Sequence, residues 1–262
     1  MARVRQGSAE AMLEQSQTVS DWLRDRSAAD FDRPSVLPGW DVRRLTGHLV
    51  MAHEGMLAAL AEPTRQRPQT IADYVQHYRP DDEQITALTV AATGSDSGQE
   101  LLDRFDAAIE ALATALGPDG HRPAAVLAPR GPLTVEDYIA TRIIEVVVHA
   151  DDLNRSLPDA DPVTLRRGAL ARCSRALVGI LADRYPGRSV EVRIPPYAAV
   201  QCAIGDPGPT HTRGTPPNVV ETDAVTFLRL ATGRTPWPAA LATGKIYASG
   251  LRADLTPVLP LL

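Results

Sequence analysis

The sequence predicts a mainly α-helical protein, in which an N-terminal four-helix bundle is followed by a smaller α+β domain. Two observations predict this fold class. Apolar residues recur at helical spacing in four long segments before residue 157, whereas short strand-like runs separated by Gly and Pro follow residue 185. The Asp- and Pro-rich stretch LPDADP at 157–162 is typical of a linker. We therefore expect one domain at 1–157 and a second at 158–262.

The spacing of apolar side chains places the four bundle helices at 8–26, 41–61, 97–116 and 134–157. Asp41 is a candidate N-cap of the second helix, because its carboxylate can accept hydrogen bonds from the free N–H groups of the first turn. In the fourth helix apolar residues cover most of the circumference, which predicts a buried, central helix. One or two short helices are expected between the second and the third.

The region after the linker mixes helices and strands. A helix at 163–184 is expected first, because its apolar residues keep a helical period. The remaining elements are expected as strands at 189–194 and 197–204, a helix at 223–231, a strand at 245–248 and a closing helix at 251–259.

Composition, charge and hydropathy argue against a disulfide-rich protein, a nucleic-acid-binding protein and a membrane-spanning protein. Cys173 and Cys202 are too few for a disulfide framework and are expected as packing residues in a reduced compartment. A formal net charge of -5 gives no general attraction to nucleic acid. The chain has neither an apolar run of about 18 residues nor a secretory leader, so we expect a cytoplasmic protein without integral membrane association.

His48, Glu145 and His149 form a candidate metal site. Glu145 and His149 are four residues apart on one predicted helix and therefore share a face. Their surroundings are almost wholly apolar, so the carboxylate needs a cation or a strong hydrogen-bond partner. His48 lies beside the apolar stripe of the second helix, and facing helices of a bundle can supply ligands to one ion. The alternative is a Glu–His pair that only stabilises its helix.

Two imidazoles and one carboxylate leave coordination positions open, which is typical of a catalytic rather than a structural metal site. Zinc is the simplest interpretation of this ligand set, and nickel, iron and manganese are compatible with it.

Two stretches carry a resemblance to a known family. The segment LPGWDVRRLTGHL at 37–49 resembles the signature LPGW-x-V-x-x-L-x-x-HL of the mycothiol-dependent maleylpyruvate isomerases, DinB-like metalloproteins from actinobacteria. A second signature of that family, R-x-x-E-x-x-x-H-x-x-D, matches Arg142, Glu145, His149 and Asp152. The resemblance implies a DinB-like four-helix bundle, His48, Glu145 and His149 as ligands of a zinc-like divalent ion, and mycothiol as cofactor.

The C-terminal part resembles the sterol carrier protein fold, most clearly in the segment GKIYASGLRADL at 244–255. The maleylpyruvate isomerases carry a sterol-carrier-like tail as well, so the order of domains agrees with the first resemblance. A fold alone does not fix an activity, and lipid binding does not follow from it.

Three further residues have more than one interpretation, and a fourth, His53, has one. Arg142 is a candidate catalytic residue that binds a carboxylate of substrate or thiol, or else half of a structural ion pair. Trp40 and Asp152 are candidates for the cofactor-binding pocket. The alternative for Trp40 is packing at a turn. Asp152 could instead orient a ligand histidine, or have no role beyond the last turn of its helix. His53 follows His48 by five residues, so it points elsewhere, and we expect it at the surface.

The leading hypothesis is a metal-dependent enzyme that uses a low-molecular-weight thiol for isomerisation or thiol transfer on a small, anionic substrate. Its partners would be substrate and thiol, and a homodimer is compatible with the sequence. The first alternative is a non-catalytic carrier that holds a lipid or another apolar ligand in the sterol-carrier-like domain. The second is a metal-binding bundle that has lost catalysis and acts as a sensor or stress protein.

Overall fold

The computed structural model describes residues 2–78, 82–120, 122–205, 210 and 214–262, with the side chains of 2–6 and 82 excepted. The chain forms two compact units, Met1–Ala169 and Leu170–Leu262. The first is helical apart from one short hairpin, and the second contains a four-stranded sheet. The fold class is therefore the predicted one, whereas the domain boundary at 157/158 stays a prediction.

Four long helices form the bundle of the first unit: α1 Ala2–Arg24, α3 Val42–Leu60, α6 Gly98–Leu116 and α7 Val135–Ser156. Both α1 and α3 pack against both α6 and α7, so the four helices enclose one core. The shorter elements of this unit are α2 Ala28–Phe31, α4 Ile71–Val75, α5 Asp82–Thr93, and the antiparallel hairpin of β1 Ala125–Ala128 and β2 Gly131–Thr134.

The bundle helices begin where side chains satisfy the free N–H groups of the first turn. Asp41 Oδ1 accepts a hydrogen bond from Arg44 N at 2.7 Å, as the N-cap prediction required. Thr134 Oγ1 accepts from Asp137 N at 3.0 Å at the start of α7. The predicted central position of α7 is confirmed, because buried residues lie on nearly every side of this helix.

The core of the bundle is apolar and close-packed, and it includes Leu45, Leu49, Met56, Leu101, Phe105, Leu112, Ile139 and Val146, each without exposed surface. Burying one such side chain stabilises the folded state by about 1.5–3 kcal/mol relative to leaving it exposed. This packing fixes α3 against α7, which are the two helices that carry the candidate metal ligands.

Helix α8, Arg167–Arg184, leads into the second unit. The sheet order there is β4-β3-β5-β6, with antiparallel pairs at β4–β3 and β5–β6 and a parallel pair at β3–β5. The elements are β3 Val190–Ile194, β4 Ala198–Cys202, β5 Val219–Thr222, α9 Ala224–Ala231, α10 Trp237–Ala242 and β6 Ile246–Ser249.

The predicted closing helix at 251–259 is wrong. The segment has only isolated turns, and its end is held by hydrogen bonds from the N–H groups of Leu261 and Leu262 to Ala231 O at 2.7 and 3.1 Å. Pro257 disfavours a helical conformation of the residue before it and offers no N–H, so a helix cannot continue through this position. Strands β1, β2 and β5 and helices α2 and α10 lay outside the sequence prediction; none of them exceeds six residues.

Each helix in the part of the chain that the structure describes is too short or too polar to cross a lipid bilayer.

Candidate metal centre

Helices α3 and α7 bring His48, Glu145 and His149 together. One nitrogen of each imidazole and one carboxylate oxygen all lie within 4.8 Å of one another. The three side chains are 9%, 14% and 7% exposed, so the cluster is almost shielded from water. The convergence that the sequence predicted is thus present in the fold, between one helix from early in the chain and one from about a hundred residues later.

A single carboxylate oxygen faces both imidazoles. Glu145 Oε2 lies 3.4 Å from His48 Nε2 and 3.2 Å from His149 Nε2. The two rings are nearly perpendicular, with centroids 5.0 Å apart and an interplanar angle of 86°. Both histidines therefore present the same ring nitrogen to one small volume beside the carboxylate.

Each member of the cluster has a further partner on its outer side. His149 Nδ1 lies 3.0 Å from Asp152 Oδ2, and Asp152 has no exposed surface. His48 Nδ1 lies 3.4 Å from Thr89 Oγ1, and Glu145 Oε1 lies 3.4 Å from Arg142 Nη2. Ligating histidines in metalloproteins commonly donate their second ring N–H to such an acceptor, which fixes the tautomer and the ring orientation.

These partners test whether a metal ion fits the cluster. A neutral imidazole whose Nδ1–H donates outward has a bare lone pair on Nε2. If both rings hold this tautomer, the two lone pairs and the Glu145 carboxylate oxygen converge without a proton between them. Such an arrangement of acceptors is unfavourable in a buried site unless a cation or a proton lies between them. Two imidazole nitrogens and one oxygen are also a ligand set that suits zinc and its neighbours.

The electrostatic environment favours a charged carboxylate. Burial by itself would raise the pKa of Glu145, but hydrogen bonds with His149 and His48 and the charge of Arg142 outweigh it and hold this pKa well below its usual value. Burial lowers the pKa of His48, so this ring is neutral near pH 7. For His149 the burial effect is outweighed by Asp152 and Glu145, which raise its pKa. Protons therefore compete with a metal more strongly at His149 than at His48.

Arg142 is buried beside the cluster, and its guanidinium is already engaged. Nη2 lies 3.2 Å from the Tyr78 hydroxyl as well as near Glu145, and Nη1 donates to Ala52 O at 3.4 Å. The guanidinium carbon also lies 5.2 Å from the centroid of the Tyr138 ring. This geometry favours an ion pair that holds Glu145, while the catalytic role stays a prediction.

Trp40 and Asp152 each lie next to a candidate ligand. The half-buried Trp40 ring meets His48 edge-on with centroids 5.5 Å apart, and Asp152 contacts His149. Their contribution to a cofactor pocket stays a prediction. Sequence reasoning missed Thr89 and Tyr78, because threonine and tyrosine in a short helix and its surroundings carry no motif that marks them.

The prediction of a surface position for His53 is wrong. His53 has no exposed surface; its Nδ1 lies 2.8 Å from Leu49 O, its Nε2 lies 2.8 Å from Ser16 Oγ, and its ring packs edge-on against Phe105. The five-residue step does turn His53 away from His48. However, α3 is covered by α6 as well as by α7, so the direction away from the cluster also leads into the core.

Cys173 and Cys202 are buried and unpaired, in agreement with the packing role expected of them. Burial raises the pKa of both thiols, to about 11 for Cys202. Neither is therefore a thiolate nucleophile at neutral pH.

Comparison with known families finds two matches. The family model described as mycothiol maleylpyruvate isomerase N-terminal domain matches residues 12–154, which is more than half of the chain. The family model described as bacterial SCP ortholog matches residues 166–261. No curated protein matched the chain.

Among solved structures, the chain is similar to the mycothiol-dependent maleylpyruvate isomerase and to a mutant of that enzyme. The mutant structure aligns with a TM-score of 0.58 at 16% identity, over 95% of this chain and 93% of the other. The unmutated enzyme aligns with a TM-score of 0.57 at the same identity and coverage. At this identity the likeness shows a shared fold across both parts of the chain.

Proposed function

We propose a function on the premise that this chain belongs to the mycothiol maleylpyruvate isomerase N-terminal domain family. We infer that it is a metal-dependent enzyme that uses a low-molecular-weight thiol, mycothiol, for isomerisation or thiol transfer on a small, anionic substrate. One observation carries this inference: one possible ligand atom from each of His48, Glu145 and His149 lies within 4.8 Å of the other two in an almost buried cluster. The similarity to solved maleylpyruvate isomerases over 95% of the chain supports it.

The donor set fits a divalent ion, zinc in the first place, held by His48 Nε2, Glu145 Oε2 and His149 Nε2. When bound, such an ion supplies Lewis-acid chemistry, which lowers the pKa of a thiol and makes its nucleophilic thiolate available at neutral pH. Three protein ligands leave room for that thiol in the coordination sphere.

The residues of the chain itself prepare the site. Asp152 accepts the Nδ1–H of His149 and fixes that ring, and Arg142 holds the second carboxylate oxygen of Glu145 so that the first faces the histidines. Trp40 covers one side of His48 and is a candidate wall of the thiol pocket. The low exposure of the cluster limits water, which strengthens every charge interaction inside it.

In this proposal residues 1–157 are the metal-binding domain and 158–262 the sterol-carrier-like domain. The apolar stretches at 197–204 and 256–262 of the second domain are compatible with the alternative of a lipid carrier. Those stretches supply buried side chains to its core, such as Cys202, Ile204, Val258 and Leu261. Burial in the core explains them without a ligand.

Metal analysis of the purified protein tests the proposal. We expect about one zinc per chain after reconstitution, and a loss of nearly all of it in His149→Ala. In the cobalt-substituted protein, addition of mycothiol should produce a thiolate-to-cobalt charge-transfer absorption band. A wild-type protein that binds neither ion, or a His149→Ala variant with unchanged metal content, would overturn the proposal.

A further inference from the structure

The face of helix α5 that is turned toward the bundle carries hydroxyl groups. Among its residues with described side chains, only Thr89 and Thr93 are buried, and they lie one turn apart on the same face. Two of its larger apolar residues point outward, with Leu88 53% and Val90 42% exposed, and Ile85 is half-buried. The most deeply buried side chains of α5 are thus hydroxyl-bearing, so burial of hydrocarbon alone does not explain this orientation.

The buried hydroxyl of Thr89 lies beside His48. Its oxygen is 3.4 Å from His48 Nδ1 and 2.8 Å from the carbonyl oxygen of Ile85 in its own helix. A hydroxyl has one hydrogen, and the carbonyl oxygen of Ile85 is the nearest acceptor for it, since His48 Nδ1 lies 3.4 Å and the sulfur of Met51 3.8 Å away. With the hydrogen on the side of Ile85, the hydroxyl oxygen can accept a hydrogen bond from His48.

This direction of the hydrogen bond determines the state of the imidazole. His48 Nδ1 must carry the proton in order to donate to Thr89 Oγ1, so Nε2 keeps its lone pair. Nε2 is the nitrogen that lies 3.4 Å from Glu145 Oε2 and faces the cluster. Thr89 therefore accepts a hydrogen bond from Nδ1–H of His48, just as Asp152 accepts one from Nδ1–H of His149.

The close approach of α5 to α3 depends on Gly47, the neighbour of His48. A Cβ atom at Gly47 would overlap the side chain of Thr93. Thr93 Oγ1 in turn donates to Thr89 O at 2.6 Å, within its own helix. The two threonines thus make different contacts: the side chain of Thr93 packs against Gly47, and the hydroxyl of Thr89 contacts His48.

We propose that Thr89 is a positioning residue of the metal centre, which selects the Nδ1–H tautomer of His48 through its hydroxyl oxygen and makes α5 part of the site. The proposal rests on the proposed function in so far as His48 is a metal ligand. The tautomer itself is a property of the metal-free protein. It can therefore be measured whether or not an ion binds.

The test compares Thr89→Val, which keeps the shape and removes the acceptor, with Thr89→Ser, which keeps the hydroxyl. Thr93→Val is the matched control, because it removes a hydroxyl that donates to Thr89 O within α5. Loss of an outer partner of a ligand weakens metal binding by about 10–100-fold. Since the Nδ1–Oγ1 separation of 3.4 Å is long, we expect about a tenfold loss of zinc affinity in Thr89→Val. Competition with a chelating dye measures it, and Thr89→Ser and Thr93→Val should stay within about threefold of wild type.

The second readout is the ¹⁵N spectrum of the histidine rings in the metal-free protein above pH 7.5. We expect the Nδ1–H pattern for His48 in wild type, Thr89→Ser and Thr93→Val, and a shift toward Nε2–H in Thr89→Val. A wild-type His48 in the Nε2–H form would overturn the proposal, and so would equal losses of zinc affinity in Thr89→Val and Thr93→Val. If wild type shows the Nδ1–H form but binds no metal, the enzyme proposal fails while the role of Thr89 stands.

Discussion

Two buried histidines on helix α3 have opposite surroundings. His48 directs Nε2 at the carboxylate of Glu145 and the ring of His149, so this nitrogen faces other electron-pair donors. His53 has both ring nitrogens engaged, Nδ1 with Leu49 O and Nε2 with the hydroxyl of Ser16. Both side chains are almost fully buried, and both belong to one regular helix. What separates a candidate ligand from a structural histidine is thus the partner of each ring nitrogen, and burial alone does not tell them apart.

The surroundings of His53 also define its protonation state. The carbonyl of Leu49 can only accept, so Nδ1 carries the proton and Nε2 accepts from Ser16. Burial lowers the pKa of His53 to about 4, which keeps the ring neutral throughout the physiological range. A neutral ring with both nitrogens hydrogen-bonded stabilises the core and has no free electron pair with which to bind an ion.

The largest expected effect is the difference in zinc affinity between the alanine variants of His48 and His53. We expect His48→Ala to weaken zinc binding by more than about a hundredfold, since it removes a ligand and not merely an outer partner. His53→Ala should leave zinc affinity within about threefold of wild type but lower the free energy of unfolding by about 2–4 kcal/mol, because it leaves a cavity beside Phe105.

Chelator competition and urea unfolding of the metal-free protein measure these two effects. Loss of zinc binding in His53→Ala without loss of folded structure would contradict the comparison.

The second prediction concerns the dependence of stability on pH. The unfolded chain protonates His53 near pH 6.5, whereas the folded chain does so only near pH 4. Between these values the unfolded state binds more protons, so this histidine makes stability fall as the pH drops from about 6.5 to about 4. The shift corresponds to about 3 kcal/mol at its full extent. Above pH 6.5 the contribution is constant.

Urea unfolding at pH 7 and at pH 4.5, in the presence of a chelator, checks this prediction against His53→Asn. The variant lacks the titrating ring, so its stability should fall less over the same range. If the free energy of unfolding falls equally with pH in the two proteins, His53 is not neutral and buried as described.

The smallest expected effect is that of Ser16→Ala. The variant leaves His53 Nε2 without its donor in a buried position, which costs about 1 kcal/mol. The cost stays at the low end because Met12 O, 2.9 Å from Ser16 Oγ, competes with His53 for the single hydrogen of this hydroxyl. Thermal unfolding measures the loss, and zinc affinity should not change. A change in zinc affinity would mean that the His53 pocket and the metal centre are coupled.

Only part of the convergence of the candidate ligands follows from local spacing, because Glu145 and His149 are four residues apart, whereas His48 lies about a hundred residues earlier in the chain. Glu145 and His149 share a helix face by geometry, and the apolar stripe around His48 predicts that this part of α3 turns inward. Thr89 and the true position of His53 were not predictable in this way. Both depend on which helix covers α3 from which side, and that arrangement arises from contacts between segments distant in the chain.

The same distinction applies to the fold. Long helices with a full stripe and a capping residue, such as α3 after Asp41 and α7 after Thr134, were predictable with their start points. Strand β5 was not, because four residues do not establish a period and its pairing with β3 and β6 is decided by the rest of the sheet. The segment 251–259 has apolar residues at several positions, but Pro257 lacks the backbone N–H that would continue a helix through it.

Among its residues with described side chains, helix α5 buries only two, Thr89 and Thr93, with Thr93 against Gly47, and Arg104 Nη1 of α6 donates to Ala92 O at 3.0 Å. Segments with few buried apolar contacts open locally at a small fraction of the free energy of global unfolding. The backbone amides of α5 should therefore exchange with solvent deuterium long before those of α3 and α7. Each such opening would uncover the outer edge of His48, which gives the centre a path for ion exchange while the four-helix core stays closed.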